Sequence, residues 1–167
     1  MEKWREKLKN KPVRYWIRDE IEEIMKEEKI DRTRFCEYAK TEYQKVINEF
    51  YYSFADYTKF PTVELAYVWL HFREDLIKSH MIYEKDYTWN GFLKEIRNLI
   101  VSTGEEKCYM IVSEGWVYEG YPEEICRVLG ETDGLLEDFY IVSKRYNWTF
   151  AYCSDGLCAV MYENGKR

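Results

Sequence analysis

His71, with Glu74 and Asp75 three and four residues further on, sets an imidazole beside carboxylates at helical spacing. On one helical face such residues can bind a metal ion. A two-metal carboxylate centre needs a second such pair from another helix, and no metal site is expected. Adjacent carboxylates occur at Glu22-Glu23, Glu123-Glu124 and Glu137-Asp138. They are the residue types of a general acid–base pair, but they read as solvated helix or loop edges. The chain has no Ser/His/Asp set in a recognisable context, no G-x-S-x-G elbow and no glycine-rich phosphate loop. Glu105-Glu106-Lys107 lacks the preceding strand carboxylate of a nuclease centre. No catalytic residue and no cofactor is therefore assigned.

The five cysteines, Cys36, Cys108, Cys126, Cys153 and Cys158, are odd in number and lack C-x-x-C spacing. They form neither a disulfide framework nor a zinc site. The N-terminus has no apolar signal core, and no apolar run reaches the ~18 residues of a membrane span. A reducing cytoplasm is the expected setting.

The segment best suited to contact a partner is 114–121. Its turn, Glu114-Gly115, leads into Trp116, Tyr118, Glu119 and Tyr121. Aromatic rings beside carboxylates form a contact patch for a basic protein. Glu114, Trp116, Tyr118, Glu119 and Tyr121 are the candidate partner-binding residues, and the competing reading places Trp116 and Tyr118 in the core. Charge distribution supports the choice. The net charge is −6, which argues against a general nucleic-acid binder. Residues 105–138 carry ten acidic side chains against Lys107 and Arg127, whereas residues 1–18 are basic. Such a patch steers a basic partner, or is simply a solvated acidic face.

These residues need a frame. Ile17, Ile21, Ile24 and Met25 recur at helical spacing. Asp31 is positioned as the N-cap of a second helix with Phe35, Tyr38, Ala39, Tyr43, Val46, Ile47 and Phe50 on its apolar stripe. The aromatic stretch 51–60 is a loop or a continuation of that helix. Leu65, Val68, Trp69, Phe72, Leu76 and Ile77 predict a further helix, with a strand over 62–69 as the alternative. Phe92, Leu93, Ile96, Leu99 and Ile100 predict a helix over 90–102, ended by Gly104. The period then changes. Strands are predicted at 108–112, 116–118, 139–143, 148–153 and 157–162, with a short helix between Pro122 and Gly130. Asp155-Gly156 suits a two-residue hairpin. Its register sets Cys153 opposite Cys158, close enough for a disulfide under oxidation, although reduced buried thiols fit the cytoplasmic setting. Both hairpin faces are apolar, so cover on both sides is expected. The result is a single α+β domain over 1–167, with mainly helical residues 1–104 packed on a β-rich antiparallel core over 105–167.

The run Trp116-Val117-Tyr118-Glu119-Gly120, then Ile125, Val128-Leu129-Gly130-Glu131, Glu137 to Lys144 and Tyr146-Asn147-Trp148 resembles a small uncharacterised bacterial domain family. That family has a W-x-Y-E-G strand, a short helix ending in glycine and a Y-I-V-x-K-x-Y-x-W strand pair. The resemblance covers about residues 109–161. It implies no activity, and it implies a setting near bacterial toxin or phage-defence loci. Members tend to carry histidines in the last hairpin. This chain has Ser154-Asp155-Gly156 there, so a histidine-based role does not transfer. The expected function is a non-enzymatic domain that binds and blocks a protein partner, as an immunity or phage counter-defence protein does. The alternatives are a small-ligand or nucleotide-binding domain, or minor enzyme, and a subunit of a larger assembly.

Overall fold

The computed structural model describes residues 16–65, 67–82, 88–132, 134–154 and 158–164. Helix α1 (Ile17–Glu27) buries Ile17, Ile21, Ile24 and Met25, the stripe its sequence period requires. It ends at a left-handed residue, Lys29 (φ 53°), after which the Ile30 amide donates back to the Met25 carbonyl at 2.9 Å. Strand β1 (Phe35–Glu37), helix α2 (Tyr43–Phe54) and strand β2 (Ile77–Ile82) follow. Helix α3 (Trp89–Ser102) is capped by Thr88, whose Oγ1 accepts from the Gly91 amide at 3.1 Å. Gly104 lies beyond its end with φ 81°. Then come β3 (Cys108–Val112), β4 (Val117–Gly120), helix α4 (Pro122–Gly130), β5 (Asp138–Ser143), β6 (Trp148–Cys153) and β7 (Cys158–Glu163).

The seven strands form one antiparallel sheet in the order β1-β4-β3-β5-β6-β7-β2. The C-terminal half supplies the five central strands, and the N-terminal half supplies both edges. Every residue of β3, β5 and β6 is buried, because the sheet is covered on both faces. On one face Met110, Tyr118, Phe139, Ile141, Phe150 and Tyr152 pack with residues of α1, α3 and α4. On the other, Tyr109, Ile111, Val117, Tyr140, Val142 and Tyr162 pack with α2 and the residues around Val68, Phe72 and Leu76. The β6–β7 register sets Cys153 opposite Cys158 and puts Trp148, Phe150, Tyr152, Ala159 and Met161 in the first core, as the hairpin geometry predicts. No disulfide joins the two thiols. The turn itself, Asp155-Gly156, lies outside the described residues.

Two expected helices are corrected. Asp31 does not cap a helix. Its Oδ1 accepts from the Thr33 amide (2.9 Å) and hydroxyl (2.7 Å), a local turn that feeds Phe35 into strand β1. Helix α2 starts only at Tyr43 and continues into the aromatic stretch as far as Phe54. The described residues of 62–77 do not form one helix. Val68, Phe72 and Leu76 do reach the core, but Val68 and Leu76 through single turns of 3-10 helix, Val68–Leu70 and Glu74–Leu76, and Phe72 through a bridge to Ala55, with Tyr67 left-handed at φ 52° just before the first turn. Leu70 and Ile77, which belong to the supposed stripe, are 59% and 45% exposed. A period of four apolar steps is satisfied equally by successive turns that each drop one side chain onto a sheet.

The buried hydroxyls and thiols give the fold a defined alkaline limit. Burial pushes Tyr146 and Tyr162 up to about 12, and Cys108 and Cys126 likewise, from ordinary values of 10.0 and 9.0. A folded-state pKa above the unfolded one favours the neutral form in the folded chain. That contribution is complete below the unfolded value and is lost as pH rises toward the folded value. The urea midpoint is therefore expected to hold up to about pH 9 and to fall steadily between there and pH 12. A midpoint unchanged at pH 11 contradicts this.

Candidate partner-binding surface

The turn between β3 and β4 closes as expected, with Gly115 at φ 98°. The candidate residues that follow are then divided between the two sheet faces and the surface. Trp116 is half-buried. Its ring meets Trp16 edge-on (6.0 Å, 69°) and Tyr43 edge-on (6.4 Å, 76°), and the Arg18 guanidinium lies 5.6 Å above it. Arg18 is held there by Glu37, whose Oε1 accepts from Arg18 Nε at 2.6 Å while Oε2 accepts from the Tyr43 hydroxyl at 2.6 Å. The hydrogen bond to Glu37 raises the Arg18 pKa above its ordinary value, and burial raises that of Tyr43.

Tyr118 is a correction. It is fully buried and stacks on Phe35 at 5.4 Å, with planes 9° apart, so it presents nothing to a partner. Its hydroxyl has no hydrogen-bond partner among the described residues. A buried polar group left unpaired costs about 1–3 kcal/mol. Tyr118→Phe is therefore expected to stabilise the fold by about 1 kcal/mol, read as a higher urea midpoint at unchanged slope. A loss of stability would show that the hydroxyl has a partner in solution.

Glu119 lies on the opposite sheet face from Tyr118 and is paired with Lys144, whose ammonium also sits over the rings of Tyr38 and Tyr109 at 5.7 and 5.3 Å. Tyr121 is half-buried beneath the Arg34 guanidinium at 4.1 Å, and Arg34 Nε is 2.5 Å from Glu124. Of the five candidates, Glu114 is exposed and Trp116 is half-exposed. Glu119 and Tyr121 are already engaged by cations of this same chain. Three of the ten carboxylates of the acidic run are engaged in the same way. Glu105, Glu119 and Glu124 pair with Arg145, Lys144 and Arg34, all from outside the run.

A different surface gathers several exposed rings. Tyr52 (47% exposed) and Tyr57 (50%) meet edge-on at 5.7 Å, and Tyr52 meets Tyr51 at 6.0 Å. The buried Tyr51 donates its hydroxyl to the Phe60 carbonyl at 2.5 Å and approaches His71 Nδ1 at 3.4 Å. Phe60 (38% exposed) stacks flat on His71, 4.2 Å between centroids and 6° between planes. Rings therefore run in contact from Tyr57 through Tyr52, Tyr51 and His71 to Phe60. Beside them opens a groove of about 470 Å³ lined by Asp56, Lys59, Phe60, Leu70, Phe72, Arg73, Glu74 and Asp75. The sequence offers one signal for this ridge. Tyr52 is out of phase with the buried stripe Val46, Phe50 and Phe54 of α2, so a large ring is placed where a helix normally presents a polar side chain.

His71 is thus packed by aromatic rings, and it shares no helix with Glu74 and Asp75. Asp75 is instead bound by Arg73 at 2.8 Å. Among the described residues no group of three or more His, Cys, Asp or Glu could hold a metal ion. The side chain of His80 lies outside the description. Burial pushes the thiols of Cys36, Cys108, Cys126 and Cys158 upward, away from the thiolate a nucleophile requires.

The fold defines an α+β protein whose antiparallel sheet is covered on both faces, with the exposed rings Tyr52, Tyr57 and Phe60 on the α2 side. The chain belongs to a family of unknown function, DUF6756, whose model matches residues 13–167. The match takes in the N-terminal half, which the sequence resemblance over 109–161 left out. No curated protein and no solved structure matches the chain. No described helix is long and apolar enough to cross a membrane.

Proposed function

We propose that this protein is a non-enzymatic binding domain that holds and blocks a protein partner in a bacterial cytoplasm, as an immunity or counter-defence protein does. The ridge of Tyr52, Tyr57 and Phe60 carries the reading. Large rings with polar tips supply contact area at low entropic cost and dominate the energy of protein interfaces. Their neighbours favour a basic partner, since the adjoining groove holds three carboxylates against two cations. Glu114 and Trp116, in the turn between β3 and β4, remain as a secondary contact.

Co-purification from the native host tests the proposal, with bound proteins quantified by mass spectrometry. The native chain is expected to retain a protein whose own activity falls when the chain is added. The Tyr52→Ala/Tyr57→Ala pair is expected to lose that protein by roughly 30-fold or more, the scale of an interface hot spot worth about 2 kcal/mol. Glu114→Gln is expected to change retention by less than about threefold, as a rim charge does. Equal retention by the Tyr52/Tyr57 variant, or retention of nothing by the native chain, would end the proposal.

A further inference from the structure

We infer that the groove beside Phe60 receives an arginine side chain from the partner. The inference rests on the binding role just proposed and adds the chemistry of the residue recognised.

The chain already binds its own cations in one recurring way. Arg34 lies 4.1 Å over Tyr121 and 2.5 Å from Glu124. Arg18 lies 5.6 Å over Trp116 and 2.6 Å from Glu37. Lys144 lies 5.3 Å over Tyr109 and pairs with Glu119. Each arrangement joins a ring face to a carboxylate, which attracts a cation twice over. The groove holds both parts. Phe60 has one face on His71, yet it remains 38% exposed and lines the groove. Asp56, Glu74 and Asp75 stand around it.

Two of those carboxylates have cations of their own, Lys59 at 3.8 Å from Asp56 and Arg73 at 2.8 Å from Asp75. Glu74 makes no ion pair among the described residues. The groove is therefore one cation short, next to an aromatic face. A guanidinium meets both requirements, because its plane stacks on a ring while its edge donates to a carboxylate. A lysine ammonium can take such a place, as Lys144 does, but it is a compact, more strongly hydrated charge that neither stacks flat on a ring nor donates along a planar edge. Leu70, 59% exposed on the same wall, provides apolar contact for the methylene stem of the side chain.

The test titrates the isotope-labelled full chain with a blocked peptide holding one arginine between prolines, followed by backbone amide spectra. The same peptide with lysine, or with uncharged citrulline, in place of arginine serves for comparison. The arginine peptide is expected to shift amides of residues 56–60 and 70–75 in a saturable way. Citrulline is expected to weaken binding at least tenfold, and lysine severalfold. Glu74→Gln and Phe60→Ala should each weaken the arginine peptide at least fivefold, whereas Glu114→Gln should not. Equal binding of the citrulline and arginine peptides, shifts centred elsewhere, or no saturable shift at millimolar peptide would overturn the inference. The two proposals fail separately. Partner loss on Tyr52→Ala/Tyr57→Ala without arginine binding removes the arginine site alone. Arginine binding with no retained partner removes the blocking role alone.

Discussion

Gly120→Ala is expected to lower the stability of the folded chain by about 3 kcal/mol, the upper end of what an overpacked core costs. Gly120 pairs with Phe35 of β1 on one side and with Cys108 of β3 on the other. A Cβ at this position would stand 2.7 Å from Phe35 Cδ2, 2.8 Å from the Arg34 carbonyl oxygen and 3.1 Å from Phe35 Cα. None of these atoms can easily retreat. The Arg34 carbonyl is held by the Tyr121 amide at 2.9 Å, and the Phe35 ring is stacked on Tyr118. The methyl group must therefore push β1 away from β4, which breaks the edge of the sheet and opens the pairing that brings Glu37 to Arg18. Gly104 provides the contrast. Its Cβ would meet nothing within 4 Å, and only its left-handed φ of 81° resists substitution. Gly104→Ala is expected to cost about 1 kcal/mol. Urea unfolding of both variants gives the two values. Hydrogen exchange should show the Gly120→Ala damage concentrated in β1 and β4. Equal costs at the two glycines would mean that β1 yields freely.

Gly120 also shows what a sequence reveals and what it hides. The W-x-Y-E-G run marks a strand, but nothing in it says that the glycine is needed for a close approach from a strand more than eighty residues earlier. The C-terminal half was legible because its periods are short and its turns are marked. Pro122 and Gly130 bound α4, Gly115 makes the β3–β4 turn, and the register of Cys153 with Cys158 follows from the expected hairpin. The N-terminal half was harder because its structure is imposed by distant partners. Phe35 to Glu37 is a strand only because β4 offers an open edge, and Ile77 to Ile82 only because β7 does. Local propensity cannot encode a partner eighty residues away. The site divides along the same line. Trp116 and Tyr118 pack toward the same core, but burial decides whether a side chain is core or surface, and burial depends on α1 and β1. Three carboxylates of the acidic run likewise meet cations, Arg34, Lys144 and Arg145, that come from elsewhere in the chain. The exposed ridge needs the reverse information, namely which aromatic residues the fold leaves uncovered.

Phe50→Ala is expected to have the other large effect, about 3–5 kcal/mol of lost stability, as for a large aromatic removed from a packed core. Phe50 is fully buried, with its ring 5.1 Å from Tyr140, 5.7 Å from Phe72 and 6.0 Å from Phe54. Those contacts join α2 to the sheet and to the turns around Phe72, so one side chain anchors both elements that carry the ridge. Phe92 is the matched control. It is equally buried, but in the other core, against Trp89 at 5.8 Å and Tyr152 at 6.1 Å. Phe92→Ala should cost a similar amount of stability. The two variants are expected to separate when partner retention is measured per folded molecule, well below both melting midpoints. Loss of Phe50 frees Tyr52, Tyr57 and Phe60 from their fixed spacing, so the rings must be ordered on binding, at about 0.5–1.5 kcal/mol for each side chain immobilised. Loss of Phe92 leaves that spacing intact. Retention should therefore drop tenfold or more for Phe50→Ala and stay within about twofold for Phe92→Ala. Equal retention by the two variants would mean that the partner does not depend on the spacing of Tyr52, Tyr57 and Phe60, and the search would return to Glu114 and Trp116 at the β3–β4 turn.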